Sequence, residues 1–202
     1  MEYNIREPKQ KRAIEKKDKI IEEGFKLICK EGYHNTNTAL IAKEANVSTG
    51  IVYQYFKDKH DILIEGLERY GEELFFPVLK AKAKDFKKED IEDILKKTIK
   101  EFENNHKISK IAHEEITSMI HSDGDVAEYF YRKELETTDK TKEILLKNHF
   151  KDNHLQEKIH IAMSLIDNLC HEVTYHKHKK MDYDEMTSLV IQLIMELFKN
   201  DI

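Results

Sequence analysis

Apolar residues recur at helical spacing along nearly the whole chain. Ile14, Ile21, Phe25 and Ile28, with Leu27 beside them, predict a helix from about Lys11 to Lys30, stopped by Lys30 and Gly32. The next stretch, Thr36 to Phe56, reads as two short helices around a tight turn. Thr36 is placed to cap the first, and Leu40, Ile41 and Ala45 give it a narrow apolar face. Asn46 tolerates the left-handed conformation that ends a helix, Val47 is an apolar plug, and Ser48 is a second cap candidate. Val52 and Phe56, at i and i+4, face inward. Asp58 or Lys59 starts a fourth helix with core positions Ile62, Leu63, Leu67, Tyr70 and Leu74, running to Phe75-Phe76, where Pro77 kinks or ends it.

Further on, two helices are expected between Lys88 and about Ser122, broken at Asn104-Asn105. Ser122-Asp123-Gly124-Asp125 reads as a loop. A longer helix follows from about Val126 to Phe150, with Thr137-Thr138-Asp139 a candidate interruption. The last two helices span about Leu155–His178 and Tyr183–Lys199. The first is apolar on more than one side, the two together need more cover than one monomer easily supplies, and pairing with a second copy as a four-helix bundle is the natural solution.

Composition sharpens this to an all-α fold: 202 residues hold only 6 Gly and 2 Pro, and 36% are charged. Cys29 and Cys170 lie far apart in apolar helical contexts and read as buried free thiols. The charged N-terminus does not read as a signal peptide, and the most apolar late run, Leu189 to Phe198, is too short to span a bilayer. A cytoplasmic protein without membrane contact is expected. The net charge is −5, yet residues 1–60 hold 12 Lys and Arg against 9 Asp and Glu, so the basic end is the front.

That front carries the candidate chemistry. Two short helices around a turn form a helix-turn-helix whose second helix is free to enter a major groove. The outward residues Thr49, Tyr53, Gln54 and Tyr55 are short or planar polar groups, where a face that merely met water would more often carry Lys and Glu. Gln54 suits a base edge, because its amide can pair bidentately with adenine. Thr49 and Ile51 suit bases or thymine methyls, and Gly50 permits close approach. Ser48 adjoins them at the cap, and Thr36, Asn37, Tyr53, Tyr55 and Lys57 suit phosphate.

Thr36 through Leu63 resembles the DNA-binding signature of the TetR family of bacterial transcription regulators. The matching features are Thr36, Ile41-Ala42 followed by Ala45, Val47-Ser48 and then Gly50, Tyr53 followed by Phe56, Lys57, Lys59 and the pair Ile62-Leu63. Departures are Thr49 where the family often has Lys, Val52 where it often has Leu, and Gln54 where His or Tyr is usual. They bear on which DNA sequence is read. The resemblance implies a three-helix head at 1–60 with a basic N-terminal arm, and a helical ligand-binding and dimerisation domain at 61–202. It also implies a homodimer formed through the last two helices, binding a double-stranded, pseudo-palindromic operator. A repressor released by a small-molecule effector is expected, with no catalysis and no cofactor. The helices that surround the ligand cavity in that family supply Phe102, His113, Met119, Tyr129, Phe130, Asp167 and His171 as candidate effector contacts.

One feature stands outside this reading. His160, Ser164, Asp167, His171, Tyr175 and His178 form a polar stripe on the penultimate helix. A metal-dependent protein, sensor or enzyme, using His160, His171 and His178 is the alternative. The pattern with two His at i and i+4 fails at Tyr175, and a solvated flank is the plainer interpretation. A helical adaptor that keeps the head without binding DNA is a third class, one whose weak binding to random DNA would scarcely depend on salt.

Overall fold

A computed structural model describes residues 10–76, 86, 90–104 and 108–201, with the side chains of 101–104 excepted. Among the described residues there are helices and connecting turns but no strand, so the fold is all-α. In chain order the helices are α1 (Lys11–Glu31), α2 (Thr38–Glu44), α3 (Thr49–Tyr55), α4 (Lys59–Gly66), α5 (Glu72–Phe75), α6 (Ile91–Asn104), α7 (Lys110–Ser122), α8 (Gly124–Lys147), α9 (Leu155–Tyr175) and α10 (Tyr183–Leu197). A π-helical turn, Leu67–Gly71, joins α4 to α5. The expected effect of Pro77 and the basic arm before residue 10 lie outside the described residues.

The chain divides into two compact units. The first comprises Met1–Phe75 with Lys107–Arg132, the second Phe76–His106 with Lys133–Ile202. In the first, one buried cluster joins Ile20 and Ile21 of α1 to Ile41, Ala42 and Ala45 around α2, Val52, Tyr55 and Phe56 around α3, and Ile62 of α4. Packing α4 against α1 requires Gly66: a Cβ there would overlap the Phe25 ring. Gly32 ends α1 with φ at 94°, a conformation that costs a side-chain-bearing residue energy. The α1 end is then fastened to α7, because Ser109 N donates to Cys29 O at 2.8 Å and His34 N donates to the Glu115 carboxylate at 3.0 Å. Burial pushes the Cys29 thiol up to about 12, which makes it inert at neutral pH.

In the second unit, Leu155, Ile159, Ala162, Leu169 and Cys170 of α9 pack with Val190, Ile191 and Ile194 of α10, with Phe150 and Phe198 closing the cluster. Asp201 is fully buried beneath it. Its carboxylate accepts from Lys158 Nζ and, at 3.4 Å, from Asn153 Nδ2, while its backbone O accepts from Lys151 N at 2.7 Å.

Several local expectations change. Asn37, not Thr36, caps α2, its side chain accepting from Leu40 N at 2.9 Å. The loop expected at Ser122–Asp125 shrinks to Asp123 alone, whose carboxylate caps α8 through Asp125 N and Val126 N, each at 3.1 Å. Thr137-Thr138-Asp139 does not interrupt α8. The two hydroxyls donate to carbonyls one turn back, Lys133 O at 2.7 Å and Glu134 O at 2.9 Å, so the helix runs through with its polar atoms satisfied. Helix α9 stops at Tyr175, short of His178, and α8 stops at Lys147, short of Phe150.

Candidate nucleic-acid interface

The turn between α2 and α3 is built as Asn46 and Val47 predict, while Ser48 takes the N-cap position of α3 without a side-chain capping bond. Asn46 takes φ 55°, and Val47 N donates back to Ala42 O at 2.9 Å. Asp58 caps α4 through His60 N at 2.8 Å and Asp61 N at 3.3 Å. Lys59 then reaches back over the head: its ammonium donates to Tyr33 O at 2.5 Å and Thr36 O at 2.8 Å and lies 4.2 Å from the centre of the Tyr33 ring. Burial lowers its pKa. Lys59 therefore pins the loop that leads into α2, which leaves Lys57 as the exposed cation at the end of α3.

The candidate contacts separate into two groups. Asn37, Ser48, Gly50, Tyr53, Gln54 and Lys57 are exposed, and Thr49 and Ile51 are half-buried. A Cβ at Gly50 would meet nothing closer than Ser48 Oγ at 3.9 Å, so the space in front of it is open. Thr36 and Tyr55 go inward instead. Thr36 is 2% exposed, and its hydroxyl donates to Gly32 O at 2.8 Å. Tyr55 is 8% exposed, within the head cluster and edge-on to Phe56. The expectation that Tyr55 lies on the outer side fails because Val52, Tyr55 and Phe56 share one inward stripe at i, i+3 and i+4. Sequence reading passed over Thr38, which shares a 2.9 Å hydrogen bond with the Tyr53 hydroxyl and so links α2 to α3. Its place one residue after the cap was the available signal.

The candidate effector residues are spread over both units. His113, Met119, Tyr129 and Phe130 belong to the first, where Tyr129 is buried and Phe130 lies edge-on to Phe75 at 5.0 Å and to Tyr129 at 5.4 Å. Asp167, exposed, and His171, half-buried, belong to the second. The Phe102 side chain lies outside the described residues. Of the histidine stripe, His160 pairs with Glu134 at 3.6 Å, His171 stacks on His176 at 4.9 Å, and the backbone N of His178 donates to the Tyr183 hydroxyl at 2.8 Å. Among the described residues, no cluster of metal-ligand atoms joins His160, His171 and His178. The metal reading has no support.

Another histidine contact lies within the first unit. His60 Nε2 is 2.9 Å from Asp123 Oδ2, both side chains about one-quarter exposed. Burial alone would raise the Asp123 pKa, but the Val126 amide and His60 outweigh it and hold the carboxyl below its ordinary value.

A capped α2, a left-handed turn residue and an α3 with an uncharged polar outer face define a helix-turn-helix head of the DNA-binding kind. A family model described as "Bacterial regulatory proteins, tetR family" matches residues 20–65. The HTH-type transcriptional regulator HbdR of Aromatoleum sp. (strain CIB) is 51% identical over 49 residues, 24% of this chain and 21% of that protein. The chain spans less than two thirds of the length of the first curated relatives it matches. Beyond the head, the fold matches crystal structures of a TetR-family regulator from Mesorhizobium loti (TM-score 0.67, 14% identity, 93% of this chain and 98% of that one) and of a transcriptional regulator from Saccharomonospora viridis in complex with choline (TM-score 0.62, 19% identity, 91% and 96%). Residues 20–65 thus match the DNA-binding part of the TetR family of bacterial transcription regulators, and the chain as a whole shares its fold with TetR-family structures. No described helix is long and apolar enough to cross a membrane.

Proposed function

We propose that this chain is a homodimeric transcriptional repressor that binds a pseudo-palindromic DNA operator through two α3 helices and leaves it when a small molecule binds the helical body. The observation that carries the DNA reading is the exposed row on α3, with Tyr53, Gln54 and the open front of Gly50, framed by Asn37 and Lys57. Gln54 reads a base edge, Thr49 and Ile51 approach neighbouring bases, and Asn37, Ser48, Tyr53 and Lys57 fix the frame on phosphate. Thr36 and Tyr55 support this surface from beneath.

The dimer reading rests on the rear helices. Leu189 and Leu193 are 49% and 59% exposed on α10, one turn apart, and Ile161 is 49% exposed on α9. A second copy of the same pair would cover them and set the two heads about one turn of DNA apart. Functionally the chain divides at about residue 60, with reading before it and ligand binding and dimerisation after it. The effector acts by binding one conformer of the dimer better than the other, among residues such as His113, Met119, Tyr129, Phe130, Asp167 and His171. The choline held by the Saccharomonospora viridis neighbour supports a small-molecule effector as a class. Such a regulator works in the cytoplasm, with its DNA.

Selection of bound sequences from a random duplex pool tests the proposal. A two-fold symmetric site is expected, and Gln54→Ala should relax one base per half-site, a loss of about 1–3 kcal/mol of discrimination. No enrichment at low salt would reject it.

A further inference from the structure

Tyr53 does not stand on α3 alone. Its hydroxyl lies 2.9 Å from the hydroxyl of Thr38, the first residue of α2 and fifteen positions earlier in the chain. Thr38 is half-buried and Tyr53 is 39% exposed, so the bond sits at the rim of the surface proposed to meet DNA. Both α2 and α3 are seven residues long, too short to hold their relative placement by their own hydrogen bonding. Their packing is set by the buried cluster beneath, which includes Ile41, Ala42 and Val52 but neither Thr38 nor Tyr53. The hydroxyl pair is therefore a polar tie at the outer edge of that packing.

We infer that Thr38 is a positioning residue for DNA: it holds the Tyr53 phenol in place and acts with it as one phosphate-binding unit spanning α2 and α3. This rests on the proposed DNA reading and deepens it. The chemistry fits an acceptor-only partner. Two hydroxyls carry two protons, and the bond between them uses one. A hydroxyl can both donate and accept, so a phenol held by Thr38 can still address a phosphate oxygen, and the first bond polarises the second. Fixing the phenol before DNA arrives also removes side-chain ordering from the binding step. Neighbouring groups suit the same target: Asn37 and Lys57 are exposed at the beginning of α2 and just beyond the end of α3.

The test is a double-mutant cycle on the full-length chain, with Thr38→Val, Tyr53→Phe and the double variant. Each is titrated against the duplex recovered by selection and against a mixed-sequence duplex, over a range of salt. Thr38→Val removes the hydroxyl at nearly constant shape. It should weaken both duplexes alike, by ~3- to 10-fold, as expected for one lost hydrogen bond. Thr38→Ser should restore binding. The double variant should bind no more weakly than Tyr53→Phe alone, because the two hydroxyls act through one contact. Thermal melting of each variant separates this from a packing defect: a Thr38→Val head that melts earlier but binds like wild type overturns the inference. Strictly additive losses also overturn it, since they make the residues independent. If wild type itself enriches no duplex, the DNA reading fails first and this inference falls with it.

Discussion

The head and the rear helices expose opposite kinds of surface. Around α2 and α3 the buried cluster takes Ile41, Val52 and Phe56 nearly completely, and the outer row is Tyr53, Gln54 and their neighbours. Around α9 and α10 the interior is just as well filled, by Leu155, Leu169, Cys170 and Ile194, but Ile161, Leu189 and Leu193 still face outward. The first surface suits a polar partner and the second an apolar one. A helix that buries one stripe is complete as a monomer, whereas one with a second apolar stripe calls for cover. One chain thus exposes a polar row on one unit and an apolar patch on the other.

The largest effect that could break this contrast lies inside the rear unit. Lys158 is the cation on the fully buried Asp201 carboxylate. Lys158→Met strands that charge and should destabilise the second unit by about 3–5 kcal/mol in chemical denaturation. A loss below 1 kcal/mol would show that the pair is not what closes the rear. In the head, Gly66→Ala drives a methyl into Phe25 and should cost about 1–3 kcal/mol, read as an earlier melt of the first unit. An unchanged melt would mean that α1 and α4 can separate without loss.

The smallest effect is acid-dependent. The folded Asp123 carboxyl titrates below its ordinary value, because the Val126 amide and His60 outweigh its burial. A carboxyl depressed on folding contributes stability that is fully present above the unfolded pKa, about 3.9, and is lost as pH falls through the folded value. Asp123→Asn should therefore flatten the acid limb of the head's stability below about pH 4, with melting compared at pH 7 and pH 3. A steeper acid limb would contradict the pairing.

Much of the head was legible in the sequence, because its elements depend on local chemistry. Asn46 takes the left-handed turn, Asp58 caps α4, and Val52 and Phe56 go inward, each as its residue type predicts. What stayed hidden depends on partners far along the chain. Lys59 bonds to carbonyls 23 and 26 residues earlier, and Thr38 meets Tyr53 fifteen residues later. Tyr55 looks outward on a polar count and is buried by its i+3 relation to Val52. In the rear, helical periodicity located α9 and α10, but nothing local showed that Asp201 would be buried under α9. The polar stripe expected on α9 outruns the helix, which ends before His178, and its histidines meet different groups: Glu134 for His160 and the His176 ring for His171.

The central claim is that the rear face joins two heads that each read half a site. Leu193→Glu puts a charge on the most exposed of the rear leucines and leaves the second unit's buried cluster untouched. Sedimentation of wild type and variant, each alone and with the selected symmetric duplex and its isolated half-site, measures that claim directly. The account predicts a wild-type dimer that binds the full site at least ~100-fold more tightly than the half-site, as linked binding allows. The variant should be a folded monomer with little preference between them. A variant that remains dimeric and keeps the full-site preference would contradict it.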